Sequence, residues 1–491
     1  MKVSVRNIVE KTPAMIASLE TLKCVCSTCD KDLVERNIDQ VLTCVMFGVS
    51  QDTEETVVTG LQALLECLDC TAANFARQDE RNYLMTVICN LTQSTSDQVT
   101  SLALECLNKI VSLYYPLMED YMAAALIPIS LAALQCQQEL TVMQAIEFWS
   151  TICDCEQSLS DDCLQAVLGD QTVTLVDSLH TIMTEGDNLD MDQWTQLTAA
   201  TNCLSLLTES LGSAVGERSQ HFVSQMINSD RWRHRHAAII AISTLLDLED
   251  REALGSVISS FLSVAETFLQ DDNSNIRRAA SYVLMQVSDR AVDILNTYGA
   301  TSSVSCLAGL CLQSPDQRMT EHGCLVISNL FRSQSKCEEK VLYIEALLHQ
   351  LLSVTDPDFL TSKNQNSSLR QVAFSALSDI IEYCSHQQSE TLKKSVPVLL
   401  KRFEHLLSSE ASSALHIDIS FNCSILNSII LSLERDVVLG LASEMLPVIS
   451  KMFDHQQLHE DAILILRAMI DHLGTSTNTC SPLRIKSYLH P

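Results

Sequence analysis

At 491 residues with only 12 Gly and 9 Pro against a 46% hydrophobic content, the chain specifies few of the tight turns that regularly spaced strands need, which argues against a sandwich or barrel. Its 61 acidic against 32 basic residues, formally −29, exclude the Lys/Arg stripe that nucleic acid requires. No run of 18 uncharged apolar residues occurs, so no membrane insertion is expected. The opening MKVSVRNIVEKTPAM lacks a signal-peptide core, so the 20 cysteines are read as reduced thiols.

Along the chain, apolar residues recur at i, i+3, i+4 and i+7 in segments that each follow a short polar turn. The segments are 53–68, 96–111, 138–153, 230–246, 273–287, 316–331, 368–383 and 459–473. Asp, Ser or Asn before these runs supplies N-caps. Each is the second (B) helix of a pair whose first (A) helix precedes it, and the pairs recur roughly every 35–48 residues. The pattern predicts an all-α fold: an α-solenoid of about ten to eleven stacked HEAT repeats forming a right-handed superhelix, in which no pair buries its apolar face alone. The repeats fill 1–473, and 474–491 is an irregular tail without helical period. An acidic stretch, GDNLDMDQW (186–194), separates the A and B helices of one repeat, and a polar stretch, 356–368, interrupts another.

Most cysteines, among them Cys106, Cys153, Cys203 and Cys324, occupy apolar helix positions as small hydrophobes. Cys24, Cys26, Cys29, Cys67 and Cys70 come nearest to metal-ligand spacing, but no matching second pair follows, so no metal is expected. In WRHRH (232–236) the two histidines fall on different helix faces and make no metal site. Arg235, Arg277, Arg278, Arg318 and Arg370, each near the start of a B helix, are placed to reach carboxylates of the neighbouring repeat. Phosphate loops, nucleophile elbows and metalloprotease motifs are all lacking, so neither a catalytic residue nor a cofactor is expected and the chain is not read as an enzyme.

The segments ANF, RNYLM (81–85), KIVSLYYPLMEDYM (109–122), AL (125–126) and IEFWSTICD (146–154), followed in order by Trp194, SDRWRHRHAA, IRRAASY and NSSLRQVAFSAL, resemble the importin-β (karyopherin-β1) family of nuclear import receptors. The resemblance extends from about residue 14 to 473 and is most specific over 81–157, where polar and aromatic residues agree as well as apolar ones. Relative to a full receptor, the first few repeats and nearly the whole C-terminal half are not represented.

The resemblance implies shuttling between cytoplasm and nucleus through the nuclear pore, with nucleoporin Phe-Gly repeats bound on the convex, A-helix face. The matching positions are Leu42, Thr43 and Met46, then Glu80, Tyr83 and Leu84, then Tyr121 and Ile129. Leu42 and Met46 are one turn apart and share a face, so adjacent A helices are expected to leave an apolar slot. Without the resemblance, the same residues read as inter-repeat packing. On the concave, B-helix face the resemblance implies binding of basic cargo or the importin-α adaptor through Asp187, Asp190, Asp192 and Trp194, and through the aromatic positions that map to Tyr282 and Leu325. The acidic stretch is thinner than the family's, and Leu325 lacks the π face of a tryptophan, so adaptor binding is expected to be weakened. Regulation by the Ran GTPase is expected to be weakened by the missing opening repeats. The alternative reading is a generic HEAT-repeat scaffold organising an unrelated complex.

Overall fold

The computed structural model describes residues 2–159, 171–186, 189–191, 193–333, 344–356, 367–384, 389–408 and 413–473. The described residues are helical and contain no strand. The tail 474–491 lies outside them. Contacts divide the chain into two units, Met1–Leu254 and Gly255–Pro491.

In the first unit the B helices form a continuous packed row: Lys2–Thr28, Glu54–Cys67, Asp97–Tyr114, Glu139–Leu159, Gln196–Leu211 and Trp232–Thr244. Five A helices lie beside them: Ile38–Val49, Gln78–Leu91, Ile127–Leu134, Gln171–Glu185 and Ser213–Met226. The second unit repeats the plan, with B helices Ser274–Arg290, Gln317–Ser333, Ser367–Cys384, Ser413–Ser432 and His459–Leu473 packed in order. Its A helices are Thr301–Leu312, Ile344–Val354, Ser389–Ser408 and Arg435–Met452, and the boundary between units falls within a further A helix, Arg251–Leu269.

The predicted all-α solenoid of HEAT-type pairs is what the described residues form, and all eight predicted B helices are present. An interior B helix such as Asp97–Tyr114 is buried on more than one side because it touches its own A helix and both neighbouring B helices. Asp97–Tyr114 thus buries Val99, Ala103, Leu104, Cys106, Leu107, Ile110 and Val111, and every fully buried Leu or Ile contributes about 1.5–3 kcal/mol.

Besides Lys2–Thr28, two B helices, Gln196–Leu211 and Ser413–Ser432, are not among the eight predicted from sequence. In the first, buried Thr201 and Thr208 donate to Leu197 O and Leu204 O of their own helix at 2.7 and 2.8 Å, so polar residues occupy core positions without an external partner. In the second, buried Asp418 pairs with Arg370 of the preceding B helix at 2.8 Å, and Asn422 donates to Asp418 O at 2.7 Å. Both arrangements place polar residues in the core and break the apolar period.

Successive B helices are also tied near their N-terminal ends. Thr141 donates to Asp97 at 2.7 Å, Arg278 pairs with Asp316 at 2.7 Å, and Ser420 donates to Asp461 at 2.8 Å. Arg278 and Arg370 therefore reach the neighbouring repeat as expected. Arg277 differs: it turns back to its own A–B turn, to Asp271 O and Asp272 O at 2.7 and 2.9 Å, and Arg235 likewise bonds Ser229 O and Asp230 O of its own turn. Turn carbonyls five and six residues back lack helical partners of their own. Arg318 pairs with Glu321 within its own helix at 3.3 Å.

Cys106, Cys153, Cys203 and Cys324 are fully buried, and burial pushes the Cys203 thiol up to about 12 and the other three well above their ordinary value. Among the described residues only Arg251–Leu269 has the length and hydropathy to cross a bilayer, and its apolar side chains Leu254, Ile258, Phe261, Ala265, Phe268 and Leu269 are buried inside the protein.

Candidate partner-binding surfaces

Two A helices of the first unit are joined at their opening turns by a polar bracket. Arg77 donates to Asp39 at 3.0 Å and, through Nε, to Glu80 at 2.5 Å, while Asn74 donates to both carboxylates at 2.8 Å. These hydrogen bonds, from Asn74 and then Arg77 at Asp39 and in the reverse order at Glu80, hold both carboxyls below their usual range. One and two turns beyond Asp39 on the same face lie Thr43 and Phe47, and one turn beyond Glu80 lies Tyr83. Phe47 is 61% and Tyr83 54% exposed, unusual values for large rings. Thr43 is exposed and its hydroxyl donates to Asp39 O at 2.6 Å. On the following repeat, Tyr121 donates its hydroxyl to Asn82 of the Gln78–Leu91 helix, and Ile129 is half-buried.

The remaining predicted positions on this face point inward. Leu42, Met46 and Leu84 retain only 7%, 4% and 2% of their surface. They pack between helices, as the residue-only reading allowed, and do not line an open slot. Periodicity placed Leu42 and Met46 on a common face correctly, but that face is the inner one. Phe47 was not among the predicted residues, and neither were Asp39, Asn74 and Arg77.

The acidic segment emerges as predicted between the paired helices Gln171–Glu185 and Gln196–Leu211. Asp187 and Asp192 lie outside the described residues. Asp190 is half-buried, and Trp194 is 63% exposed. Where the chain leaves the A helix, Arg233 of the next B helix donates to Gly186 O at 2.8 Å and Glu185 O at 3.4 Å. Where it enters the B helix, a reciprocal capping box closes the turn: Thr195 N donates to Thr198 Oγ1 at 2.7 Å and Thr198 N to Thr195 Oγ1 at 3.3 Å. The Thr198 hydroxyl also lies 2.8 Å from Gln193 O.

Beside this segment, Thr184, Glu185 and residues 230–234 line an open cleft of about 510 Å³. Arg233 lies over the Trp232 ring at 5.4 Å, and the buried His236 meets that ring edge-on at 6.5 Å. His236 is therefore a packing residue. His234 bonds instead to Ser229 at 3.1 Å, so WRHRH does divide between two faces.

In the second unit, Tyr282 is half-buried, accepts from Gln286 at 3.1 Å and meets the His322 ring at 6.0 Å. Leu325 is half-buried one helix further on, between the buried Cys324 and Val326. Tyr282 alone of this pair offers a ring.

Stacked A/B helix pairs and a packed row of B helices define a HEAT-type α-solenoid, with exposed rings on its A helices. A family model described as importin subunit beta-1-like, TPR repeats, matches residues 305–479. Importin subunit beta-1 of Schizosaccharomyces pombe is 26% identical over 507 residues, covering 96% of this chain and 58% of that protein. The Saccharomyces cerevisiae importin subunit beta-1 is 26% identical over 411 residues, covering 80% and 47%. The solved structure of yeast importin-β, Kap95p, superposes with a TM-score of 0.79 at 22% identity, covering 97% of this chain and 57% of that one. The chain is an importin-β-like protein. It spans 58% or less of the length of these relatives.

Proposed function

We propose that this chain is a nuclear transport receptor of the importin-β kind, a binding protein and not an enzyme, that moves between cytoplasm and nucleus by engaging nucleoporin Phe-Gly repeats on its A helices. The observation that carries the reading is the pair of exposed rings, Phe47 and Tyr83, on neighbouring A helices joined by the Asp39–Asn74–Arg77–Glu80 bracket. A phenylalanine inserted between two rings buries a large apolar area, and the charged bracket supplies a polar end for the peptide backbone. Support comes also from Kap95p, which has been solved in a complex with Nup1.

On the B-helix side, the exposed Trp194 with Asp190 and the acidic residues beside it is the surface we assign to basic cargo or to the importin-α adaptor. A Lys or Arg stem laid on the indole gains cation–π attraction, and the −29 net charge steers basic partners toward the protein. Half-buried Tyr282 and the aliphatic Leu325 make the second aromatic position weaker, so adaptor affinity is expected to fall below that of the longer relatives. Binding of Kap95p induces the switch loops of RanGDP to adopt the GTP-bound conformation, and Ran is a further partner we propose for this chain.

Titration of a fluorescent Phe-Gly peptide against the protein tests the transport reading. Saturable binding that a Ser-Gly control peptide lacks is expected. Equal, non-saturating signals from both peptides would refute it and leave a scaffold role.

A further inference from the structure

We infer that Thr198 and Arg233 are positioning residues that hold the two ends of the segment carrying Trp194, so that its ring is presented to a basic partner without first having to be ordered. The inference rests on the proposed reading of Trp194 as a contact for basic cargo.

At the exit of the Gln171–Glu185 helix, Gly186 N still donates to Ile182 O at 3.0 Å, so the helical pattern runs to the segment's first residue. The last carbonyls of a helix have no partner within it, and a guanidinium can satisfy them. Arg233 supplies it, bonding Glu185 O and Gly186 O from a different helix. The Arg233 guanidinium lies over the Trp232 ring, which limits its own freedom.

At the other end, Trp194 stands between two fixed points. Its predecessor's carbonyl lies 2.8 Å from the Thr198 hydroxyl, and its successor, Thr195, is the buried N-cap of the box. The backbone on both sides of Trp194 is thus tied to the first turn of Gln196–Leu211, while the ring remains largely in solvent. An exposed indole on a slack loop would lose rotamer and backbone freedom on meeting a cation, and that loss subtracts from affinity. Fixing the neck beforehand removes much of it. With the ring largely in solvent, the hydrogen bonds at the two ends do so.

The test uses the full chain and a fluorescein-labelled synthetic Arg/Lys-rich helical peptide at fixed low salt. Thr198→Val, Thr198→Ser, Arg233→Met and Trp194→Ala are compared with the unmodified protein for affinity. The steady-state anisotropy of Trp194 is taken as the difference from the Trp194→Ala protein. Thr198→Val and Arg233→Met are each expected to weaken the peptide roughly three- to ten-fold and to lower the Trp194 anisotropy in the free protein. Thr198→Ser, which keeps the hydroxyl, is expected to restore both. Wild-type affinity in Thr198→Val and Arg233→Met, with Trp194→Ala clearly weakened, would overturn the inference while leaving the reading of Trp194 intact. Wild-type affinity in Trp194→Ala would overturn the reading of Trp194 itself, and the inference with it.

Discussion

His180 is buried in the A helix Gln171–Glu185, stacked on Phe222 at 4.1 Å with near-parallel rings and 3.3 Å from the Ser219 hydroxyl. Burial is the main reason that its pKa falls from 6.5 to about 4. Asp177 opposes the shift and Arg218 assists it, and those two residues pair with each other at 2.5 Å. As pH falls, the unfolded chain binds the proton first, so stability contributed by the neutral ring is complete above pH 6.5, declines through that range and is fully lost below about pH 4. Linkage gives about 2 kcal/mol lost by pH 5 and about 3 kcal/mol below pH 4.

The perturbation that isolates this loss is His180→Phe, which keeps the stack on Phe222 but cannot titrate. Removing the Ser219 contact costs about 1 kcal/mol, so the variant should be the less stable protein at pH 7.5 and the more stable one at pH 5. Urea unfolding followed by circular dichroism at pH 7.5, 6 and 5 reads the crossing, and the carboxylates common to both proteins cancel in the difference. Parallel pH dependences of the two proteins would refute the reasoning, because the imidazole would then titrate alike in the folded and unfolded chain.

Other changes test the packing. Buried Arg402 donates to Thr355 Oγ1 at 3.1 Å and to Leu352 O, and pairs with Asp356 at 3.5 Å, so Arg402→Met should destabilise the second unit by about 1–3 kcal/mol in chemical denaturation. A Cβ on Gly60 would stand 2.9 Å from Val49 Cγ2 and 3.0 Å from Val49 N, where a backbone atom cannot yield, so Gly60→Ala should cost roughly 1–3 kcal/mol. Gly440 has nothing within 4 Å of its would-be Cβ and lies within the helix Arg435–Met452, so Gly440→Ala should stabilise by about 0.5–1 kcal/mol. The two alanine variants, measured side by side by thermal denaturation, are expected to shift the transition in opposite directions.

Much of the repeat plan was legible because a B helix touches helices on three sides, and that demand writes a broad apolar stripe into the sequence. Besides the opening Lys2–Thr28, the B helices that escaped are those in which threonine, aspartate or asparagine is buried, an interruption of the apolar stripe that hydropathy does not register as core. The functional face was less legible. A helical period tells which residues share a face, but Leu42, Met46 and Leu84 needed knowledge of the neighbouring helix before they could be placed inside. One signal for Phe47 was present: Val45, Met46 and Phe47 are three consecutive large apolar residues, which turn through more of the helix than a single buried stripe, so one of them has to face outward. Nothing in the local pattern announced the Asp39–Arg77 link or the Arg233 contact with Gly186, since both join segments 38 or more residues apart.

The central claim is that exposed rings on neighbouring A helices receive Phe-Gly repeats, and the double variant Phe47→Ser, Tyr83→Ala tests it most directly. Both side chains are largely in solvent, so thermal stability should stay close to that of the unmodified protein, whereas a substitution at the buried Leu84 would disturb packing. Phe-Gly peptide affinity, read by fluorescence anisotropy, is expected to fall about ten-fold or more. Unchanged affinity in a protein that remains folded would contradict the account.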